Sequence, residues 1–359
     1  MQGQFQVLVD KGQIVLYIEC MSKGKDKVIP IFFAVDDGYV KFWHVAIKSL
    51  MAGANKDYKY NIHLLCCGLD KKNVASIMAL KDENFSFFVN DVTAKAKSRA
   101  KLMERGYHGD NNKAGCATYY RAFIPAMFPE YDKAMYLDSD ICLNGDVAEL
   151  FNMDMKDNLI TAAPDGPVSS IPVFQEYVVK FIGVKKPENY VNAGILVMNT
   201  EALRDMDFEE RFFDVLAKFK LEVDHDQGVL NYLCRDRINY VPENWNKMVV
   251  TGETIPLEKV RIVHYNLTAK PWITDDVAYA SLFWKFAEGT PFYDEILKCK
   301  SKVTEKDLEG AQVNLGRMIA TCEELIKGKS LHERLIDATF GVGGGCGGCC
   351  GCCRKNCGV

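Results

Sequence analysis

Between residues 28 and about 272 the chain alternates short apolar runs with stretches spaced like one face of a helix, and few folds admit that alternation. Residues 28–34 read as a buried strand. They meet Asp36-Asp37-Gly38-Tyr39, after which Phe42, Val45, Ala46, Ser49 and Leu50 follow helical spacing. Residues 60–67 read as the next strand, 73–80 as a helix and 85–89 as a third strand. This βαβαβ order implies a largely parallel sheet covered by helices. Further strands are expected at 134–137, 159–163, 195–198, 238–241 and 260–265, with Phe208, Phe212, Phe213, Leu216 and Phe219 on a helix that covers the sheet. Beyond Trp272 the pattern turns helical to about Leu325, and no repeat of solenoid type is present.

The chain has 359 residues, of which 48% are hydrophobic, and carries a net charge of −4, which excludes wholesale disorder. Its length suits about two domains, or one large domain with appendages. With 44 basic against 48 acidic residues there is no global positive field, so nucleic acid is not an expected partner. No apolar run approaches the ~18 residues of a membrane-spanning helix. The first residues do not read as a signal peptide, because they lack a basic start and Asp10-Lys11-Gly12 cuts the apolar stretch. Phe5, Val7 and Val9 alternate before that turn and Ile14, Leu16 and Ile18 after it, which spells a β-hairpin. A native start at Met21, with 1–20 as an extension, is the other reading. Cys66, Cys67, Cys116 and Cys142 lie in apolar segments and read as reduced, buried hydrophobes, which points to the cytoplasm. Six of the 14 cysteines (Cys346, Cys349, Cys350, Cys352, Cys353, Cys357) sit in a closing Gly/Cys tract. That tract is read as low-complexity; its C-x-x-C spacings also suit Zn²⁺, an iron–sulfur cluster or acylation.

The first chemical signal is Tyr136-Leu137-Asp138-Ser139-Asp140-Ile141, an apolar strand ending in two carboxylates one residue apart. In extended backbone residues i and i+2 project to the same side, so Asp138 and Asp140 are expected to converge on one cation. Such oxygen ligands suit Mn²⁺ or Mg²⁺, and ligand sites of open α/β sheets lie at the carboxyl ends of strands. An isolated D-x-D reads more simply as a solvated turn. Other segments change that balance: Phe33-Ala34-Val35-Asp36-Asp37-Gly38-Tyr39, the stretch from Thr118 to Pro125 that contains Arg121, Asn192-Ala193-Gly194, Asp224-His225-Asp226-Gln227-Gly228, and the stretch from His264 through Lys270-Pro271-Trp272.

In this order the segments resemble glycosyltransferase family eight, whose members include glycogenin and bacterial lipooligosaccharide galactosyltransferases. The resemblance runs from about residue 29 to 272. It implies an α/β fold of GT-A type: a mixed, mainly parallel central sheet binds the nucleotide-sugar, and helices follow toward the C-terminus. The chain then divides into an extension with the possible β-hairpin (1–27), a GT-A domain (28–275), a helical segment (276–339) and a Gly/Cys-rich disordered tail (340–359). The donor implied is UDP-glucose or UDP-galactose, used with a divalent cation and with retention at the anomeric carbon. By resemblance Asp138, Asp140 and His264 are the metal ligands; an imidazole beside two carboxylates favours Mn²⁺, with Mg²⁺ as the alternative.

The resemblance assigns further residues. Lys270 is expected on the diphosphate, offsetting charge on the leaving UDP, where the bland alternative is a surface lysine. Arg121 is expected to clamp a phosphate or Asp138, or to form a structural ion pair. Ser139 joins the donor site. Ala34, Asp36, Gly38 and Tyr39 resemble a uridine-binding loop in which the Asp accepts the uracil imide proton and Tyr39 stacks on the base; Asp37 is a candidate helix N-cap. Asn192, Ala193 and Gly194 would line the donor-sugar pocket, Gly194 allowing close backbone approach. Asp226 and Gln227 are the catalytic candidates near the anomeric carbon. A double displacement needs a carboxylate there; whether Asp226, Gln227 or neither serves is open, as is front-face departure of UDP. Asp165 is a weaker donor-site candidate. One departure is Leu267, where the family usually has Gly three residues after the metal His. The sequon Asn266-Leu267-Thr268 falls inside the site motif and is discounted.

The function implied is a metal-dependent, retaining hexosyltransferase that acts on a glycan or glycolipid of the cell envelope. It would work in the cytoplasm, with peripheral association at the inner face of the membrane. The alternatives are a nucleotide-sugar hydrolase and a noncatalytic nucleotide-sugar- or metal-binding protein.

Overall fold

The computed structural model describes residues 6–10, 13–17, 27–106, 115–250 and 254–340. Strands β1 (Gln6–Asp10) and β2 (Gln13–Tyr17) pair antiparallel, with Gln6 opposite Tyr17 and Asp10 opposite Gln13, as the alternating pattern suggests. Met21 and the Gly/Cys tract with its six cysteines lie outside the described residues.

The next strands are β3 (Lys27–Ala34), β4 (Tyr58–Cys66), β5 (Phe85–Asp91), β6 (Lys133–Leu137), β7 (Ile141–Leu143), β8 (Ile160–Ala162), β9 (Ile195–Asn199), β10 (Ile238–Tyr240), β11 (Lys247–Met248) and β12 (Ile262–His264). Seven of them form one sheet in the order β10-β8-β9-β6-β3-β4-β5. All its pairings are parallel except those of β9, which runs antiparallel to both β6 and β8. The crossovers between β3, β4 and β5 carry helices α1 (Val40–Gly53) and α2 (Lys71–Met78), and α3 (Thr93–Gly106) follows β5. The sheet is thus mixed and mainly parallel.

Alternation along the strands sends successive side chains to opposite faces. Ile31 and Phe33 join Trp43, Ile62 and Leu137 in one core cluster, while Phe32 joins Leu65, Tyr136 and Leu196 in the other. All are essentially inaccessible, and burial of each such side chain contributes about 1.5–3 kcal/mol. The helix Phe208–Lys218 buries Phe208, Phe212, Phe213 and Leu216 against the second cluster. A smaller sheet, β11-β12-β7, abuts the first, and only Asp138-Ser139-Asp140 separates β6 of the large sheet from β7 of the small one.

Helices Ala280–Ala287, Tyr293–Ser301, Glu305–Leu325 and Leu331–Phe340 follow. Thr304 and Asp307 form a capping box that starts the third of these. No helix among the described residues is long and apolar enough to cross a membrane. Cys66, Cys67 and Cys142 carry free thiols, as expected. Burial corrects the rest of the reading: Cys66 and Cys142 are buried, Cys67 is exposed just past the end of β4, and Cys116 is half-buried in the first turn of the 3-10 helix Gly115–Phe123.

Candidate active site

Strand register assembles the site. The β6–β9 ladder places Leu137 opposite Ile195 and extends one step further, where the Asp138 N–H donates to the Gly194 carbonyl at 2.7 Å. The β7–β12 ladder places Ile141 opposite His264, and the Tyr265 N–H donates to the Asp140 carbonyl at 2.9 Å. Asp138 and Asp140 therefore do not converge through strand pleating. They sit in the bend between two sheets, and each is pinned by the ladder on its own side. His264 Nε2 lies 3.4 Å from Asp140 Oδ1 and 3.7 Å from Asp138 Oδ2. One ligand atom from each of the three falls within 4.8 Å of the others, so this triad could hold a metal ion. The fit is also visible at Gly194: a Cβ there would stand 2.5 Å from His264 Cε1 and 2.6 Å from Asp138 Oδ2. Only a glycine leaves the cradle open.

Two cations flank the triad. The Lys270 ammonium donates to Asp140 and, at 2.8 Å, to the Tyr265 carbonyl. Burial pushes the Asp140 carboxyl up, but Lys270 and His264 outweigh it and hold the group well below the usual carboxylate range. Lys270 is itself buried, which corrects the surface-lysine alternative. Arg121 is 4% exposed and spans the site. It donates to Asp138 at 3.1 Å, to the Thr118 carbonyl at 2.9 Å and to the Ala193 carbonyl, and its guanidinium stands 4.2 Å over the Tyr136 ring. It is thus a clamp on Asp138 and a structural ion pair at once.

Arg121 also lies 3.0 Å from Asp226 Oδ2 without an aligned hydrogen bond, because its Nε–H is spent on Thr118. Thr118 Oγ1 donates to Asp226 Oδ1 at 2.6 Å. Thr118 and Arg121 share the 3-10 helix Gly115–Phe123, in which residues i and i+3 eclipse, and this brings both to one carboxylate. Burial raises the Asp226 carboxyl above its usual range despite the opposing pull of Arg121.

A second polar network lies behind the triad. Asp165 caps the short helix Gly166–Ser170 through the Val168 N–H, and its Oδ2 accepts from Asn192 Nδ2 and Gln227 Nε2, both at 3.1 Å. Gln227 Oε1 accepts from the Ala193 N–H at 3.0 Å and from Asn192 Nδ2 at 3.1 Å. The side chain of Gln227 is therefore committed to the protein itself.

A cavity of about 320 Å³ opens beside these groups. Ala34, Asp36, Tyr39, Arg121, Asp138, Ser139, Asp140 and Asp226 line it together with Ala117, Thr118, Tyr136 and His225. The lining excludes Gly38, Asn192, Ala193, Gly194, Gln227, His264 and Lys270. Roles in the β3–α1 loop differ from expectation. Asp36 Oδ1 accepts from the Tyr39 N–H at 2.9 Å at the start of α1, whereas Asp37 Oδ1 accepts from the Asp70 N–H and Asn73 Nδ2. Asp37 thus ties the loop to α2 and is not the N-cap of α1. Asn266 is buried, in keeping with a sequon that is not used, and Leu267 is 56% exposed with a φ of 53°. Asn246, which the sequence did not single out, accepts from His264 Nδ1 at 2.9 Å. Thr118 and Tyr136 lay inside the quoted motifs, and their polarity beside the carboxylates was the available signal.

The family model described as "Glycosyl transferase family 8" matches residues 30–276, well over half of the chain. Among curated relatives, glycosyltransferase GlyB of Streptococcus pneumoniae is 24% identical over 71% of this chain and 60% of its own length. The lipopolysaccharide 1,2-glucosyltransferase of Escherichia coli is 22% identical over 50% of this chain and 56% of its own. The chain thus spans about 60% or less of these relatives. Among solved structures, the galactosyltransferase LgtC in complex with donor and acceptor sugar analogues is 26% identical with a TM-score of 0.60, covering 79% of this chain and all of that one.

Proposed function

Because the chain belongs to glycosyl transferase family 8 and shares its GT-A fold, we propose that it transfers glucose or galactose from a UDP-sugar to a glycan or glycolipid acceptor, with retention. The observation that carries this reading is the convergence of Asp138, Asp140 and His264 beside a cavity that the two aspartates line together with Ala34, Asp36 and Tyr39. A divalent cation held by the triad, Mn²⁺ in preference to Mg²⁺, would supply charge neutralisation for a diphosphate.

The protein's own groups take the remaining roles. Tyr39 and Asp36 hold the uridine, Tyr39 by stacking. Lys270 exchanges part of its pairing with Asp140 for a phosphate oxygen. Asn192, Ala193 and Gly194 back the sugar, while Gln227 fixes that backing. Asp226 lines the cavity together with Asp36, Asp138 and Asp140. Its Oδ1 accepts from Thr118, and the Arg121 guanidinium 3.0 Å from Oδ2 offsets its charge, which weakens it as a nucleophile and favours front-face departure. On that route the C1–O bond to UDP breaks, the acceptor oxygen bonds to C1 on the same face, and the acceptor proton passes to the departing phosphate oxygen.

An acceptor of the cell envelope would have the enzyme work in the cytoplasm at the inner membrane face, which cell fractionation tests. The function itself is tested by UDP release from UDP-glucose and UDP-galactose with and without Mn²⁺, together with a screen for glycosylated product. Metal-dependent release with a new glycan supports transfer. Release with free hexose alone would make the protein a hydrolase, and no release from either donor would make it a binding protein.

A further inference from the structure

We propose that Asn246 is a positioning residue that locks His264 in its Nδ1–H tautomer and so turns the Nε2 lone pair toward Asp138 and Asp140. Asn246 ends the short 3-10 helix Glu243–Asn246 and is 1% exposed. The proposal rests on a chain of hydrogen bonds whose direction is fixed by a backbone amide. The Gly194 N–H can only donate, so the Asn192 atom that it meets at 3.0 Å is the carbonyl oxygen. That same oxygen lies 2.9 Å from the Asn246 amide, which must therefore present its NH₂ group there. The other end of Asn246 is then its oxygen, and it faces His264 Nδ1 at 2.9 Å. An oxygen at that distance requires a proton on Nδ1, which in the neutral imidazole leaves Nε2 as the lone-pair nitrogen.

The opposite end of the relay agrees independently. With its oxygen toward Gly194, Asn192 presents its NH₂ to Asp165 Oδ2 and Gln227 Oε1, both acceptors. Gln227 is oriented by a second obligatory donor, the Ala193 N–H. The two consecutive backbone amides before β9 thus set the polarity of a network that ends on His264. Asn192, Asn246 and His264 are all at least nine-tenths buried, so water offers no easy substitute for a lost partner. A buried carbonyl that takes the far N–H of a ligating imidazole fixes ring and tautomer, and its loss typically costs 10–100-fold in metal affinity.

The consequence for metal rests on the triad reading given above, whereas the tautomer does not. The test is ¹⁵N-histidine NMR of the metal-free protein at about pH 8, where imidazoles are ordinarily neutral. It is followed by titration with Mn²⁺ in the presence of UDP. Wild type is expected to show His264 protonated at Nδ1. N246L, which keeps the volume but removes the acceptor, should lose that preference and bind Mn²⁺ about 10–100-fold more weakly. N246D loses the donor to Asn192 but keeps an acceptor for Nδ1–H, so it should keep the Nδ1 proton, whereas a merely structural role for Asn246 would make both variants fail alike. An Nε2–H tautomer in wild type overturns the proposal with no variant needed, and so does an N246L protein whose tautomer is unchanged. An Nδ1–H tautomer in a wild type that binds no Mn²⁺ would support the relay and sink the metal reading instead.

Discussion

The backbone N–H of Asp138 donates to the carbonyl of Gly194 at 2.7 Å, so the residue that carries the first carboxylate of the site is tied through its main chain to the residue that must stay small for the site to exist. A Cβ at position 194 would meet His264 Cε1 at 2.5 Å and Asp138 Oδ2 at 2.6 Å, distances that force both groups to move. Gly194→Ala is therefore expected to cost about 1–3 kcal/mol of stability through overpacking. It should also weaken Mn²⁺ binding far more than it weakens the fold. Thermal melts beside a Mn²⁺ titration separate the two, and a folded variant with unchanged Mn²⁺ affinity would show that the glycine does not cradle a metal.

Asp226 and Gln227 are neighbours in sequence with different surroundings, since only Asp226 lines the cavity. Asp226→Asn should lower turnover strongly while UDP affinity changes little. Gln227→Ala removes a partner of Ala193, Asn192 and Asp165, so it should disturb donor affinity and turnover together. Steady-state kinetics with calorimetry of UDP binding resolves the two patterns, and their interchange would reverse the assignment.

Much of this site was legible in the sequence because its residues sit where apolar runs end, and run ends can be read without tertiary information. Asp138, His264 and Asn192 all follow this rule. The helix that carries Phe208, Phe212, Phe213 and Leu216 was legible for the same reason, through its 3.6-residue period. Reading failed where orientation depends on distant partners. Strand pleating suggested the right pair of aspartates by the wrong route, because the chain changes sheets between them. Asp37 does not cap α1 because Asp70 and Asn73, on another element, claim it. Asn246 carried no local signal, since its role arises only when β9 and β12 bring Asn192 and His264 to its two ends.

Leu267 adopts a left-handed conformation with φ of 53° at the position where a glycine is usual in the family. Any residue with a Cβ pays about 1–2 kcal/mol there. Leu267→Gly is expected to be more stable than Leu267→Ala by about 1 kcal/mol, although glycine is ordinarily the poorer of the two. Paired denaturant melts check this; an alanine variant of equal or greater stability would contradict the strained backbone.

His44 and His63 give the protein an acid limit. Burial, the leading cause for both, brings each down to about 4 from the ordinary 6.5. Between those values the unfolded chain binds protons that the folded chain refuses. Their contribution is thus complete above pH 6.5 and is lost as pH falls toward about 4, by on the order of 3 kcal/mol for each. His63 stacks on Phe32 and on Phe88, with ring centroids 4.6 and 4.7 Å apart. His63→Phe should be somewhat less stable at neutral pH, through loss of the Tyr131 and Asn90 contacts, yet lose less stability on acidification. Urea melts from neutral pH downward test the slope, and an unchanged slope would rule out His63 as a contributor.

The most direct test of the site is UDP binding measured by calorimetry in Mn²⁺ and in EDTA, on wild type, Asp140→Asn, His264→Ala and the double variant. Asp140→Asn keeps the shape, removes one anionic ligand and frees Lys270 from its carboxylate partner. Wild type should bind UDP more tightly in Mn²⁺, both single variants should lose that difference, and turnover should fall by orders of magnitude. The double variant should cost much less than the summed single effects, because either loss disables the same ion. If wild type binds UDP equally in Mn²⁺ and EDTA while both single variants turn over normally, Asp138, Asp140 and His264 are not the metal centre of a transferase.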